Sequence, residues 1–377
     1  MSYFQSFLRF TSNHYSALAD LKDSGTNFPI SIPANTMAIQ EDMATDEEAK
    51  INTILTCFPH EKSLESLVFI PRFRQRLSIL SKWSILPGSR VLDIGCGQGD
   101  SSLALALELG PACHVTGIDT APPDYGTPMN VAQSQEKILQ SPLGNRLAFQ
   151  NEVDAATFFK SKKPVVDKFD AATACHSLFY FPSYSSVASL FQELASAGVE
   201  KVYVAEYDQK QTPSFPASQT PHILAAKAQA LYYAYKAEAD ADAADAALAL
   251  SQKEQHDDQQ LHVGHISAKN GEPPLNIRAA PDVESITRAA KEGGGFRVKR
   301  QGKFTPGEDY LEGHFETRYV RGPRFEARVK EEEFANEREE EILGVIEEVR
   351  RAYEEMEKGG VEKVRCMSVW WAEFELE

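Results

Sequence analysis

A glycine-spaced turn joins an apolar run that ends in an acid to a segment rich in alanine and leucine. The run Val91-Leu92-Asp93-Ile94 passes through Gly95-Cys96-Gly97-Gln98-Gly99 into Leu103 to Leu107. The pattern predicts a strand, a tight turn and a helix. Glycine at every second position lets the backbone turn sharply and approach a ligand without a Cβ in the way. The turn also delivers that ligand to the positive end of the following helix. A dinucleotide fingerprint reads Gly-x-Gly-x-x-Gly. Here the order is Gly-x-Gly-x-Gly with Asp93 two residues ahead. Asp100 follows the last glycine and suits the positive end of a helix.

Three further runs repeat the theme in order. His114 to Ile118 closes in Asp119, and after a helical stretch from Ala132 to Leu139 the run Leu147 to Val153 closes in Asp154-Ala155. Phe169 to Ala174 opens on a Phe-Asp pair and leads into Cys175-His176-Ser177-Leu178-Phe179-Tyr180-Phe181-Pro182. From Ile85 to Asp208 the chain resembles the class I S-adenosylmethionine-dependent methyltransferases. The resemblance implies that Asp93, Gly95, Cys96, Gly97 and Gly99 form the cofactor loop and that Asp119, with Thr120 beside it, receives the ribose hydroxyls. It also implies that Asp154 and Ala155 meet the adenine and that Cys175 and His176 stand next to the methyl group. S-adenosyl-L-methionine is the implied cofactor.

The same resemblance implies an α/β, Rossmann-like fold with a seven-stranded, mostly parallel sheet whose last strand is antiparallel. The elements that complete it can be read. Tyr184 to Ala197 predicts a helix, Lys201 to Asp208 a fifth strand, Asp282 to Lys291 a helix, Phe296 to Phe304 a sixth strand and Val364 to Phe374 a seventh. Two insertions are expected: a helix over His222 to Ala249 that becomes Ala/Asp-rich low complexity, and one long helix over Arg324 to Lys358. That helix should pack a stripe of Phe334, Ile342, Val345, Ile346 and Tyr353 inward. Ahead of the sheet, helices are expected over Asp46 to Thr56 and Arg72 to Trp83. Phe4, Phe7, Leu8 and Tyr15 could form an amphipathic lid. The expected divisions are a cap over residues 1–84, a cofactor-binding core over 85–208, a helical and low-complexity insertion over 209–280, and a C-terminal part over 281–377.

Composition narrows the partners. With 39 Lys and Arg against 55 Asp and Glu, the formal charge is −16. That opposes the broad cationic surface nucleic acid requires. Cys57, Cys96, Cys113, Cys175 and Cys366 are scattered and show neither metal-ligand spacing nor a secreted framework. They read as reduced core thiols, and no metal is expected. No cationic leader with an apolar core and no membrane-length apolar run can be seen, so a cytoplasmic protein without a membrane partner is expected. The oligomeric state is left open.

Methyl transfer from a sulfonium needs alignment, exclusion of water and, for a protonated nucleophile, a base. His176 is the candidate base, its alternative being packing on the cofactor. Phe179 and Tyr180 could present an aromatic wall to an amine, Glu206 could steer one, and Tyr15 and Tyr233 could wall the pocket. Cys175 to Leu178 lacks the Asn/Asp-Pro-Pro-aromatic run of nucleic-acid amino methyltransferases. The paired glutamates of arginine methyltransferases and the acids of metal-dependent catechol enzymes are also missing at this point. The expected function is methylation of an O or N atom of a small metabolite. The alternatives are methylation of a protein or peptide side chain, or a regulatory protein that only binds the cofactor.

Overall fold

The computed structural model describes residues 34–126, 129–161, 168–251 and 277–377. The expected lid helix with Phe7 and Tyr15 lies outside these residues, as does the polar run from Gln252 to Gln260.

Two helices, α1 (Ala34–Cys57) and α2 (Ile70–Leu80), precede the first strand. The sheet core follows as β1 (Arg90–Ile94), α3 (Asp100–Glu108), β2 (His114–Ile118), α4 (Val131–Leu139), β3 (Leu147–Gln150), α5 (Ala155–Ser161), β4 (Ala171–Cys175), α6 (Tyr184–Ser196) and β5 (Lys201–Asp208). Then come the long α7 (Pro216–Ser251), α8 (Val283–Gly294), β6 (Phe296–Phe304), the three helices α9 (Glu312–Val320), α10 (Pro323–Glu331) and α11 (Asn336–Lys358), and β7 (Ser368–Leu376).

The strands order as β3-β2-β1-β4-β5-β7-β6. Those from β3 to β5 are parallel, and β7 runs antiparallel between β5 and β6. The seven-stranded sheet with an antiparallel last strand is the one expected. Its central strands are apolar on both faces because helices cover both. Val187, Phe191, Ile286 and Ala289 of α6 and α8 pack with Leu92, Val202 and Phe374 on one face. Ile54, Phe73, Leu103 and Leu105 of α1, α2 and α3 pack with Val91 and Val115 on the other. β1 lies between β2 and β4, where the direction of strand progression reverses. In such sheets the crevice beyond the strand ends at this point receives the ligand. In-register pairing sets Asp93 level with Gly117 on one side and Thr173 on the other.

Several boundaries move for local reasons. β3 stops at Gln150, because Asn151 turns its side chain to Gln135 and Glu152 adopts a left-handed φ of 59°. β7 begins at Ser368 rather than Val364, since Val364, Arg365 and Met367 donate their N–H groups to His314, the Ser218 carbonyl and His222 instead of a neighbouring strand. The single helix expected from Arg324 to Lys358 is two helices broken around Glu333, which has φ of 53°. The expected stripe is buried: Ile342, Val345, Ile346 and Tyr353 lie on α11, and Phe334 sits in the break. α9 had no counterpart in the sequence reading. Together α7, α10 and α11 enclose a second core, with Tyr232, Phe325, Phe334 and Ile346 at its centre.

Candidate active site

The glycine loop divides its work. A Cβ on Gly95 would lie 2.5 Å from the Cβ of Ser177, so this glycine lets the loop press against the segment after β4. A Cβ on Gly99 would meet Ile138 and Phe149 at 2.8 and 3.0 Å, which makes it a packing position. At Gly97, φ is +51° and a Cβ would have no neighbour within 4 Å. Gly97 borders a cavity of about 300 Å³, and Cys96, buried with its thiol pushed up by burial, lies beside it in the same wall. Gln135 supports the loop from α4 by donating to the Gly97 carbonyl at 2.9 Å.

Asp93 departs from its expected part. Its carboxylate is fully buried and accepts hydroxyl bonds from Ser101, Ser102 and Thr173 at 2.7, 2.6 and 2.8 Å. Burial pushes it up against those bonds. Asp93 therefore ties β1, β4 and the first turn of α3 together, and its full burial keeps it out of the cavity wall. Asp119 is different. One oxygen accepts the Gly97 N–H and the other the Ala121 N–H, both at 2.7 Å, and the Thr120 N–H adds a third bond, so the carboxylate keeps capacity for one further donor. Burial pushes this carboxylate up as well. Thr120 is exposed next to it. Asp154 is exposed and accepts the Thr157 N–H at 2.7 Å, capping α5, whose buried first residue is Ala155. None of these four is in the cavity wall.

Cys175 and His176 do line the cavity. Burial pushes the Cys175 thiol up to about 12, which keeps it protonated. His176 is 7% exposed, adopts a left-handed φ of 52° and lies 4.4 Å from the Tyr207 ring. Arg76 donates to Oε1 of Gln75 at 2.7 Å, which turns the Gln75 amide nitrogen toward Nε2 of His176 at 2.6 Å. A donor aimed at Nε2 needs a lone pair there, so the ring proton sits on Nδ1, 3.5 Å from Oε1 of Glu206. Burial pushes the imidazole below its ordinary value, favouring this neutral form.

Three expected contacts lie elsewhere. Glu206 is 1% exposed and is absent from the cavity wall. One of its oxygens accepts the N–H groups of Leu178 and Phe179 at 2.9 and 3.2 Å and the other that of Tyr207, so it shapes the loop after β4 instead of steering a substrate. Phe179 is 1% exposed, edge-on to Tyr207 in the core beneath. Tyr233 belongs to the core between α7 and α10, with the Arg278 guanidinium over its ring at 5.7 Å. Of the aromatic candidates among the described residues, Tyr180 reaches the cavity.

The cavity wall contains groups that sequence reasoning missed. α2 supplies Arg72 and Arg76, which pair with Glu312 of α9 at 2.6 Å and with Asp100 of α3 at 2.9 Å. Tyr207 and Tyr310 touch through their hydroxyls at 3.2 Å, and Gln229 and Glu316 complete the far side. The spacing of Arg72, Gln75 and Arg76 on one helix face was the available signal. Nothing in the sequence pairs that face with α9.

Residues 85–124 match a family described as a methyltransferase domain. Over most of its length the chain is similar to Methyltransferase phomM' and Methyltransferase phomM of Diaporthe leptostromiformis. Each is 39% identical over 376 residues, covering 89% of this chain and 92% of the relative. The chain belongs to the S-adenosylmethionine-dependent methyltransferases. A cyclopropane-fatty-acyl-phospholipid synthase-like protein from Lactobacillus casei shares its fold, with a TM-score of 0.62 and 23% identity, covering 87% of this chain and 100% of that one. The methyltransferase uses S-adenosylmethionine as its cofactor, and the residues present fit that molecule. The glycine loop has open space at Gly97, and the Asp119 carboxylate beside it keeps capacity for a ribose hydroxyl. Among the described residues no group of His, Cys, Asp and Glu is placed to hold a metal, and no helix is long and apolar enough to cross a membrane.

Proposed function

We propose that this methyltransferase methylates a nitrogen of a small amine metabolite, in preference to a hydroxyl oxygen. The observation that carries the choice is the 2.6 Å contact between Gln75 and Nε2 of His176. A hydroxyl acceptor needs a base in reach. The lone pair that would serve is engaged by Gln75, and burial disfavours the protonated imidazole. A neutral amine already carries a nucleophilic lone pair and needs alignment rather than proton abstraction at the moment of transfer. In this reading His176 positions the wall beside the methyl group and does not act as the base.

The cofactor supplies a methyl group on a sulfonium that leaves as a neutral thioether. Gly97, Asp119, Thr120, Asp154 and Ala155 are assigned to holding it, with Asp93, Gly95 and Gly99 fixing the shape of the loop and Cys96 its floor. Tyr180, Tyr207 and Tyr310 surround the acceptor side of the cavity. A space of about 300 Å³ suits a small molecule better than a folded protein. Incubating the protein with methyl-labelled cofactor and fractionated cell extract tests the reading. Label is expected in small amine-bearing compounds; label confined to macromolecules, or to O-methyl products, overturns it.

A further inference from the structure

Among the described residues of the cavity wall the permanent charges do not cancel, and the remainder falls on one of them. Arg72 neutralises Glu312 at 2.6 Å and Arg76 neutralises Asp100 at 2.9 Å. His176 is neutral by its bonding, and the buried thiols of Cys96 and Cys175 and the buried hydroxyls of Tyr207 and Tyr310 are held in their protonated forms. That leaves Glu316, one turn along α9 from Glu312. Its partner is His222 of α7, whose Nε2 lies 2.8 Å from Oε2. His222 is 0% exposed, and its Nδ1 accepts the Met367 N–H at 2.9 Å. With Nδ1 accepting, the ring proton is on Nε2, so Glu316 receives a hydrogen bond from a neutral imidazole and no full positive charge.

The fold holds this pair in place. A Cβ on Gly313 would lie 2.4 Å from Nδ1 of His222, so only glycine lets α9 come this close to α7. The Gly313 N–H also contacts the Cys366 sulfur at 2.9 Å. A carboxylate at the edge of a cavity, fixed by a buried donor and with no cation among the described residues paired to it, is suited to a cationic ligand.

From this, we infer that Glu316 receives the ammonium group of the acceptor and sets the preference for amines, with His222 as the residue that positions it. The inference rests on the amine reading above. Before transfer the ammonium loses its proton to solvent; the neutral nitrogen then forms the bond to carbon as the carbon–sulfur bond breaks, and the product leaves as a methylated ammonium.

The test uses two small probes of nearly equal size, benzylamine and benzyl alcohol, with the full-length protein saturated in S-adenosylhomocysteine at pH 7. Ligand-observed NMR reads each affinity. Wild type is expected to bind benzylamine at least tenfold more tightly than benzyl alcohol. Glu316→Gln is expected to remove that preference while keeping its affinity for benzyl alcohol and for S-adenosylhomocysteine. His222→Gln, which can place an amide donor near the position of Nε2, should keep part of the preference, and His222→Leu should lose it; a loss of packing alone would weaken both probes alike. If wild type shows no preference for the amine, the amine reading fails and the inference with it. If wild type prefers the amine and Glu316→Gln keeps the preference, the assignment of Glu316 alone is overturned. It is equally overturned if Glu316→Gln binds S-adenosylhomocysteine at least tenfold more weakly, because the carboxylate then serves the cofactor's own ammonium group.

Discussion

Gly95 and Gly97 stand two residues apart in the same loop, both with positive φ, yet alanine should fail at each for a different reason. Gly97→Ala places a Cβ where nothing lies within 4 Å, so its stability cost is the left-handed backbone alone, about 1–2 kcal/mol. Gly95→Ala carries the same backbone cost and also drives its Cβ to 2.5 Å from that of Ser177. That is at least ~1 Å inside ordinary carbon contact. Overpacking of this kind adds about 1–3 kcal/mol, for a total of about 2–5 kcal/mol. Binding should rank them the other way. Backbone strain at Gly97 is present with and without ligand and cancels from the affinity, so any loss there reports occupied space. Urea unfolding and calorimetry with S-adenosylhomocysteine separate the two effects. Gly97→Ala is expected to stay folded and bind at least tenfold more weakly, about 1.4 kcal/mol. Adding Ser177→Gly to Gly95→Ala should recover the overpacking part of its loss. Wild-type affinity in Gly97→Ala, or a Gly95→Ala protein no less stable than Gly97→Ala, would refute the division of labour.

Asp119→Ala should weaken S-adenosylhomocysteine binding by at least tenfold, about 1.4 kcal/mol, through loss of charge-assisted bonds; unchanged calorimetric affinity in a folded variant would remove Asp119 from the site. His176→Asn should raise KM more than it lowers kcat. A fall in rate of about a hundredfold with loss of a pH–rate inflection would instead make it the base. His314 gives a stability prediction in pH. Burial, then the charge of Arg318, lowers its pKa from 6.5 to about 4 in the folded protein. The unfolded chain therefore binds the extra proton first, and stability should fall as pH drops from 6.5 toward 4, with no further contribution below. The difference is bounded at about 3 kcal/mol. Urea unfolding of wild type and His314→Asn at pH 7 and pH 4.5 measures it, and equal acid sensitivity in the two proteins would contradict the assignment.

The sheet and the cofactor loop were legible because their signals are local. An apolar run closing in an acid, a glycine at the turn and an alanine-rich helix start all fall within ten residues or so, and the parallel order follows from their repetition. β5 and β6 agree with the reading to the residue. Local reading misjudged the chemistry wherever a side chain had two places to go. Asp93 and Glu206 both stand near the C-terminal ends of their strands, and both turned out to be hydrogen-bond hubs. The hydroxyls that claim Asp93 come from the first turn of α3 and from β4, and the amides that claim Glu206 come from the loop after β4. Identity and position alone do not reveal which groups compete for a carboxylate.

The acceptor side was illegible for a different reason: its charge is decided by pairings that span the chain. Arg72 and Glu312 are separated by 240 residues and His222 and Glu316 by 94, and neither pair belongs to a periodic pattern that could announce it. Read along the sequence, Glu312 and Glu316 are two acids in a strongly acidic chain. In the fold, one is cancelled by an arginine from a helix ahead of the sheet and the other is left with a neutral histidine. The arginines of α2 therefore set how much of the pocket's negative charge is left uncancelled. Removing Arg72 would release Glu312 and double the uncancelled negative charge, whereas removing Glu316 would abolish it. The helix that precedes the cofactor core, by pairing with Asp100 at the cofactor loop and Glu312 on α9, thus connects the donor side to the acceptor side through two arginines one helical turn apart.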